Sequence, residues 1–179
     1  MGGNPQPMIL FHDLAATSDE QTINWLEHIG ANLRDGDRDE MIATNPLLTI
    51  GHPDPVLLLT MSVMMSEDAW IITADDEPVS VFGCAPDGVV WMMGTPSMWK
   101  PVAARVIAKQ TTVYVQRWHD QFGWADLWNW VDARNIQSAR WLKWSGFEIA
   151  DVDPNHGRER RPFIKFVHQK GGTKPSVIQ

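Results

Sequence analysis

The sequence predicts one α/β (α+β) domain, with a mixed, mostly antiparallel central sheet flanked by helices. Three observations carry that reading. Apolar residues recur at helical spacing through the first 65 positions, three β-rich runs separated by turn residues follow, and the remainder alternates helices with strands. A chain of 179 residues is long enough for one domain with a proper core and short for two.

Residues 1–9 are rich in Pro and Gly and read as a lead-in, with a short strand at Met8–Phe11. Ser18 followed by Gln21 is a capping-box pattern, and it opens a helix whose apolar positions Ile23, Leu26, Ile29 and Leu33 share a face. The acidic stretch Arg34–Glu40 reads as a turn leading into a short helix at Met41–Ala43. Pro53-Asp54-Pro55 starts an apolar helix from Val56 to Met65, where methionine serves as irregular core filling. Ala69–Ala74 and Val79–Cys84 form a hairpin about Asp75-Asp76-Glu77-Pro78. A second turn, Ala85–Gly88, leads to a third antiparallel strand at Val89–Met93, which Gly94-Thr95-Pro96-Ser97 breaks. A long helix runs from Met98 to Asp120, with Pro101 suited to its first turn. Asp126–Val131 alternates as a strand, and Asn135 caps a helix over Ile136–Trp144 that closes on Gly146. Phe147–Ile149 and Pro162–Val167 are the last strands, joined by a polar loop at Asp151–Arg161. The domain is placed at residues 1–169, and residues 170–179 are expected to form a disordered tail.

Composition removes several function classes. No apolar run reaches the ~18–20 residues of a membrane span, and the first residues lack the basic start and apolar stretch of a signal peptide. The single cysteine, Cys84, forms no internal disulfide and fits a reducing compartment; without a Cys pair, the six scattered histidines show no zinc spacing. Residues 1–99 carry −13 and residues 100–179 carry +6, giving the net −7. The acidic first half argues against direct nucleic-acid binding. The basic second half either meets an anionic ligand or an acidic partner, or pairs with the acidic half of its own fold. Ten tryptophans stand against one tyrosine, Tyr114, and eight of them lie between Trp91 and Trp144. They supply core volume, and some are candidate anchors of a partner interface.

The segment Trp130-Val131-Asp132-Ala133-Arg134-Asn135 through Arg140-Trp141-Leu142-Lys143-Trp144-Ser145-Gly146-Phe147 resembles the late strand–helix–strand unit of GNAT (acetyltransferase-like) proteins. Asn at the cap accepts from free helix N–H groups, Gly takes the left-handed turn, and Phe enters the next strand. The resemblance covers residues 69–168. Within that family the chain is most similar to internal-virion or core-assembly proteins of short-tailed bacteriophages. The narrower match rests on Ala69-Trp70-Ile71 with Val81-Phe82-Gly83, on Trp91-Met92-Met93-Gly94-Thr95, and on the Val131–Phe147 unit.

The resemblance implies a site for acetyl-CoA whose pyrophosphate lies on backbone N–H groups of a Gly-rich loop opening the long helix, where orphan amides favour anions. The family form is Arg/Gln-x-x-Gly-x-Gly/Ala, whereas Gly94-Thr95-Pro96-Ser97-Met98-Trp99-Lys100-Pro101 lacks that pattern and has two prolines without amide donors. If acyl-CoA binds, its contacts fall on Met93, Gly94, Thr95, Ser97, Lys100 and Asn135. Many relatives place a tyrosine acid on the helix after the Asn cap. Here that position is Leu142, while Tyr114 lies elsewhere. No acid occupies Val89–Met93 as a general base. Asp132 is expected to bridge Arg134 or Arg140, Cys84 to be a buried structural thiol, and His119 to face a helix C-terminus.

The expectation is therefore a GNAT scaffold serving phage head or core assembly without acetyl transfer and without a cofactor. Its partners would be head, portal or core proteins, with oligomers possible, in the infected host cytoplasm or the virion interior. The alternative is an acetyl-CoA-dependent N-acyltransferase acting on a small amine or a host protein.

Overall fold

The computed structural model describes residues 6–44 and 53–172. Its sheet has seven strands: β1 (Ile9–Asp13), β2 (Asp68–Ala74), β3 (Glu77–Ala85), β4 (Val89–Gly94), β5 (Asp126–Asp132), β6 (Glu148–His156) and β7 (Arg161–Gln169). They lie in the order β1-β2-β3-β4-β5-β7-β6, so β4 is central. Neighbours are antiparallel except β4 and β5, which run parallel. The helices are α1 (Asp19–Ala31), α2 (Asp35–Thr44), α3 (Pro55–Met64), α4 (Pro101–Phe122) and α5 (Ile136–Trp144).

Strand alternation divides the core between two faces. Ile71 of β2 and Val81 of β3 pack with Leu26 and Ile29 of α1 and Leu58 and Leu59 of α3. Their sequence neighbours Ile72 and Phe82 point the other way and pack with Ile107, Val115 and Trp118 of α4. Residues such as Ile29, Leu59, Ile71 and Ile72 are fully buried, each contributing about 1.5–3 kcal/mol.

The caps fall where the side-chain chemistry places them. Ser18 Oγ accepts from Gln21 N–H at the start of α1, and Asp54 accepts from Val56 N–H ahead of α3. Asn135 Oδ1 accepts from Ser138 N–H, and α5 spans Ile136–Trp144 as its sequence reads. After α5 the chain turns through Gly146 at φ +90°, a conformation that a Cβ disfavours. Asp75 and Asp76, both at positive φ, make the β2–β3 hairpin turn.

Four expectations are corrected. Arg34–Glu40 is not a turn, because α2 begins at Asp35 and carries the acidic stretch on its first two turns. The long helix starts at Pro101, after a separate 3₁₀ turn at Pro96–Trp99. The polar loop at Asp151–Arg161 is mostly strand: β6 continues to His156, and only a tight turn separates it from β7. β6 is an exposed edge strand, so it lacks the apolar run that marks a buried one. The strands that α5 connects are not adjacent, because β7 inserts between β5 and β6. Lys170, assigned to the tail, donates from its N–H to the Ala125 carbonyl and from Nζ to the His119 carbonyl. The tail beyond Gly172 and the lead-in before Gln6 lie outside the described residues.

Candidate functional site

β4 and β5 meet at one ladder position, Val89 with Trp128, and then part. A side chain ends the ladder. Asn129 Nδ2 donates to the Val90 carbonyl at 2.7 Å, and its Oδ1 accepts from Trp130 N–H at 2.7 Å. The amide stands where the next main-chain bonds would form, so the strands are held apart and not zipped. Alternation along β4 turns the main chain of Val90, Met92 and Gly94 away from β3 and toward this gap. The Val90 carbonyl is taken by Asn129. Gly94 N–H donates to Asp37 Oδ2 at 2.9 Å, and the Gly94 carbonyl accepts from Arg34 N–H at 3.0 Å. Met92, between them, faces β5 without a ladder partner there.

The parted strands open a cleft of about 120 Å³. Tryptophan walls it without plugging it. Trp99 and Trp141 meet edge to face, ring centres 4.9 Å apart, and the Arg34 guanidinium lies 5.1 Å from the Trp99 ring centre. Trp99 Nε1 is buried, with no hydrogen-bond partner among the described residues. A buried indole N–H left unpaired is costly. Trp128 stays outside, its Nε1 on the Asp87 carbonyl and Lys165 Nζ 4.4 Å above its ring.

The polar rim comes from α2. Arg34, Asp37 and Glu40 recur every third residue and all line the cleft. Arg34 grips Asp37 through both Nε, at 2.9 Å, and Nη2, and the same Nη2 reaches Ser138 Oγ at 3.2 Å. Asn135, buried as the cap of α5, extends Nδ2 to Asp37 Oδ1 and to Glu40 Oε2, each at 3.4 Å. Gly36 permits this approach, since a Cβ there would stand 2.9 Å from Asn135 Oδ1. Among the described residues Glu40 has no cationic partner. Burial, then the carboxylate of Asp37, push its carboxyl up from 4.5 to about 7, against the hydrogen bonds from Asp132 N–H and Asn135 that pull it down. A carboxyl titrating there exchanges protons at neutral pH.

The residues singled out in the sequence divide accordingly. Asn135 is central. Met93 lines the cleft beside the α1–α3 core. Gly94 is buried where a Cβ would stand 2.6 Å from Met98 Sδ and from the Val79 carbonyl, and Thr95 is buried behind it with its N–H on that same carbonyl. Ser97 Oγ donates to Glu77 Oε1 at 3.2 Å, on the outer side of the turn. Lys100 is exposed at the start of α4, where no side chain caps the first-turn amides. The loop amides of Met98 and Lys100 bond to the Thr95 and Ser97 carbonyls and do not point outward.

Leu142 lines the cleft as an apolar wall, and Tyr114 lines its far end. Asp132 pairs with Arg134, at 2.6 Å, and not with Arg140. Burial, followed by the Asp68 and Glu67 carboxylates, pushes the Cys84 thiol up to about 12. His119 lies in the last turn of α4, as expected, and is buried there: Nδ1–H donates to the Trp124 carbonyl, and Nε2 meets His168 Nδ1 at 3.0 Å. Sequence reasoning missed Arg34, Asp37, Glu40, Trp99 and Asn129. The three-residue spacing of the first three was the available signal.

No family model matches the sequence, and no curated protein matches it. Solved structures do. The ribosomal-protein-S18-alanine N-acetyltransferase from Escherichia coli superposes with a TM-score of 0.62 at 12% identity, covering 96% of this chain and 99% of that one. The spermidine N-acetyltransferase from Vibrio cholerae, solved with CoA and spermine, gives 0.60 at 8% identity, covering 92% and 96%. A ribosomal L7/L12 alpha-N-protein acetyltransferase solved with coenzyme A gives 0.58 at 7% identity, covering 90% and 94%. The likeness spans nearly the whole chain, beyond the 69–168 seen in the sequence. The expectation of no cofactor is overturned by these neighbours of the same fold solved with CoA bound. They lend nothing to the phage-assembly reading. Among the described residues no helix is long and apolar enough to cross a membrane. The chain has the fold of the GNAT acetyltransferases.

Proposed function

We propose that the protein is an acyl-CoA-dependent N-acyltransferase acting on a primary amine. The observation that carries this reading is the parting of β4 and β5 around a cleft that combines a main-chain N–H turned into the gap with a carboxyl titrating near neutrality. The residues present fit a thioester donor. Met92 N–H offers a donor along a slot otherwise walled by Met98, Trp99, Trp141 and Leu142. At the outer end the uncapped start of α4 and the exposed Lys100 suit phosphate groups. Contacts with Met93, Ser97 and Asn135 belong to the same proposal.

A bound acyl-CoA supplies a thioester carbonyl carbon open to attack, with a thiol as leaving group. The chain's own residues do the rest. Glu40, uncharged about half the time at pH 7, takes the proton that an ammonium must lose before its nitrogen can attack. The carboxylates of Asp37 and Asp39 beside it draw a cationic amine toward that end. Met92 N–H, turned into the gap, is placed to donate to an oxygen that gains charge as the nitrogen adds. Arg34 fixes Asp37, and Asn135 fixes both acids, so the rim is set before a ligand arrives. Leu142 donates no proton, so solvent supplies the proton that the departing thiolate takes and receives the second proton that the nitrogen loses on becoming an amide.

A thiol-release assay tests the reading. Acetyl-CoA with a panel of diamines, polyamines and peptide N-termini should give amine-dependent release of free thiol, reduced roughly 10²–10⁴-fold by Glu40→Gln. An absence of CoA binding at millimolar concentration, with no release on any amine, would end the proposal.

A further inference from the structure

The cleft does not stop at the point where β4 and β5 part. Beyond Met92 it runs beneath α4, across the faces of β3, β2 and β1, bordered by Phe82, Ile72 and Phe11 on the sheet. Adjacent strands are ~4.8 Å apart, so the passage from β4 to β1 spans roughly 14 Å. The α4 side is formed by Ile107, Val115 and Trp118, which are 1%, 4% and 4% exposed. The charged side chains that line the cleft, Arg34, Asp37 and Glu40, gather at the other end with Asn135 and Ser138, and Tyr114 borders the inner part. Thr111 also borders the inner part, but its hydroxyl is already spent on the Ile107 carbonyl at 2.9 Å. An acetyl group, with one methyl, would leave this inner stretch unfilled, and an empty apolar space forfeits the contacts of its lining.

The geometry points to an acyl donor longer than acetyl, an unbranched chain of about four to eight carbons that extends from the thioester under α4. The inference rests on the proposed acyl-CoA reading and specifies which thioester the cleft takes. The chain enters along Met92, passes Val90 and Phe82, and ends against Ile72 and Val115. A charged acyl group is disfavoured, because the lining near Ile72, Phe82 and Val115 is apolar apart from the hydroxyls of Tyr114 and Thr111. The same passage could instead receive the apolar part of an amine acceptor, and the test separates the two.

Isothermal titration of the full chain with coenzyme A, acetyl-CoA, butyryl-CoA, hexanoyl-CoA and octanoyl-CoA gives the donor series. Each buried methylene should tighten binding about fourfold until the passage is full. Hexanoyl-CoA should therefore bind at least tenfold more tightly than acetyl-CoA. Val115→Phe, which narrows the inner end, should abolish that preference while coenzyme A itself binds as before. If this variant fails to fold, the wild-type series decides alone, together with the milder Val115→Met. Equal affinity for all the thioesters, or weakening beyond acetyl, overturns the inference while leaving the acyltransferase reading standing. A flat thioester series accompanied by tighter binding of hexylamine than of methylamine assigns the passage to the acceptor and overturns it as well. Failure of coenzyme A itself to bind removes both readings.

Discussion

Replacing Glu40 by glutamine isolates the group on which the chemistry turns. In the folded protein its carboxyl titrates near 7 in place of 4.5. The folded state therefore holds a proton more tightly than the unfolded chain. That contribution to stability is fully present below pH 4.5 and is lost as pH rises through 7. The shift corresponds to roughly 3 kcal/mol in total, of which about 2–3 kcal/mol is lost between pH 5 and pH 8. Glu40→Gln keeps the amide in contact with Asp132 and Asn135 but cannot ionise, so this limb of the stability curve disappears. Urea denaturation of both proteins at half-unit steps from pH 5 to pH 8 reads it directly. The variant should gain about 2–3 kcal/mol on the wild type across the range, because the other titrating groups are common to both. Curves that stay parallel within ~0.5 kcal/mol would refute the claim that Glu40 is held uncharged by burial beside Asp37. The same group should give kcat/KM an ascending limb with a midpoint near pH 7.

Further outcomes follow from the same geometry. Asn135→Ala should cost about 1–2 kcal/mol in urea denaturation, because Ser138 N–H loses its cap and Asp37 and Glu40 lose a donor; Asn135→Ser should recover most of the cap but not the bonds to the acids. Trp99→Phe should leave the melting curve of the free protein within about 1.5 kcal/mol of wild type, since its N–H has no partner to lose. Cys84, buried and with its thiol pushed up to about 12, should resist a disulfide-exchange reagent at pH 8 and react only after denaturant is added, as followed by absorbance. This silence also keeps the thiol-release assay free of background from the protein.

The parts of this architecture legible in the sequence are those written in local chemistry. Asn135 and Gly146 bracket α5 because a cap and a left-handed turn each demand a particular residue type. The β2–β3–β4 meander announces itself through Asp75-Asp76 and Pro86-Asp87-Gly88 between β-rich runs. What stayed hidden depends on contacts between distant segments. Asp35–Thr44 has few apolar residues, so its helix shows little periodic pattern, and its acids read as a turn. Their role follows only once α2 lies across the ends of β4 and β5, where Asp37 meets Gly94 and Glu40 meets Asp132. Asn129 reads as an ordinary strand residue, and nothing in its neighbours reveals that its amide ends a ladder. The extension of β6 past Ile149 escaped notice because an exposed edge strand has no core face to enforce alternation.

The most direct test of the account is a titration of the ¹⁵N-labelled protein with coenzyme A, observing backbone amides and the indole N–H signals. The account predicts saturable shifts at Met92 N–H and Trp99 Nε1–H, with Trp128 and the β6–β7 edge unmoved. Saturable binding that shifts Trp128 and β7 while leaving Met92 and Trp99 unchanged would contradict it, because the parted strands would then not be where the donor lies.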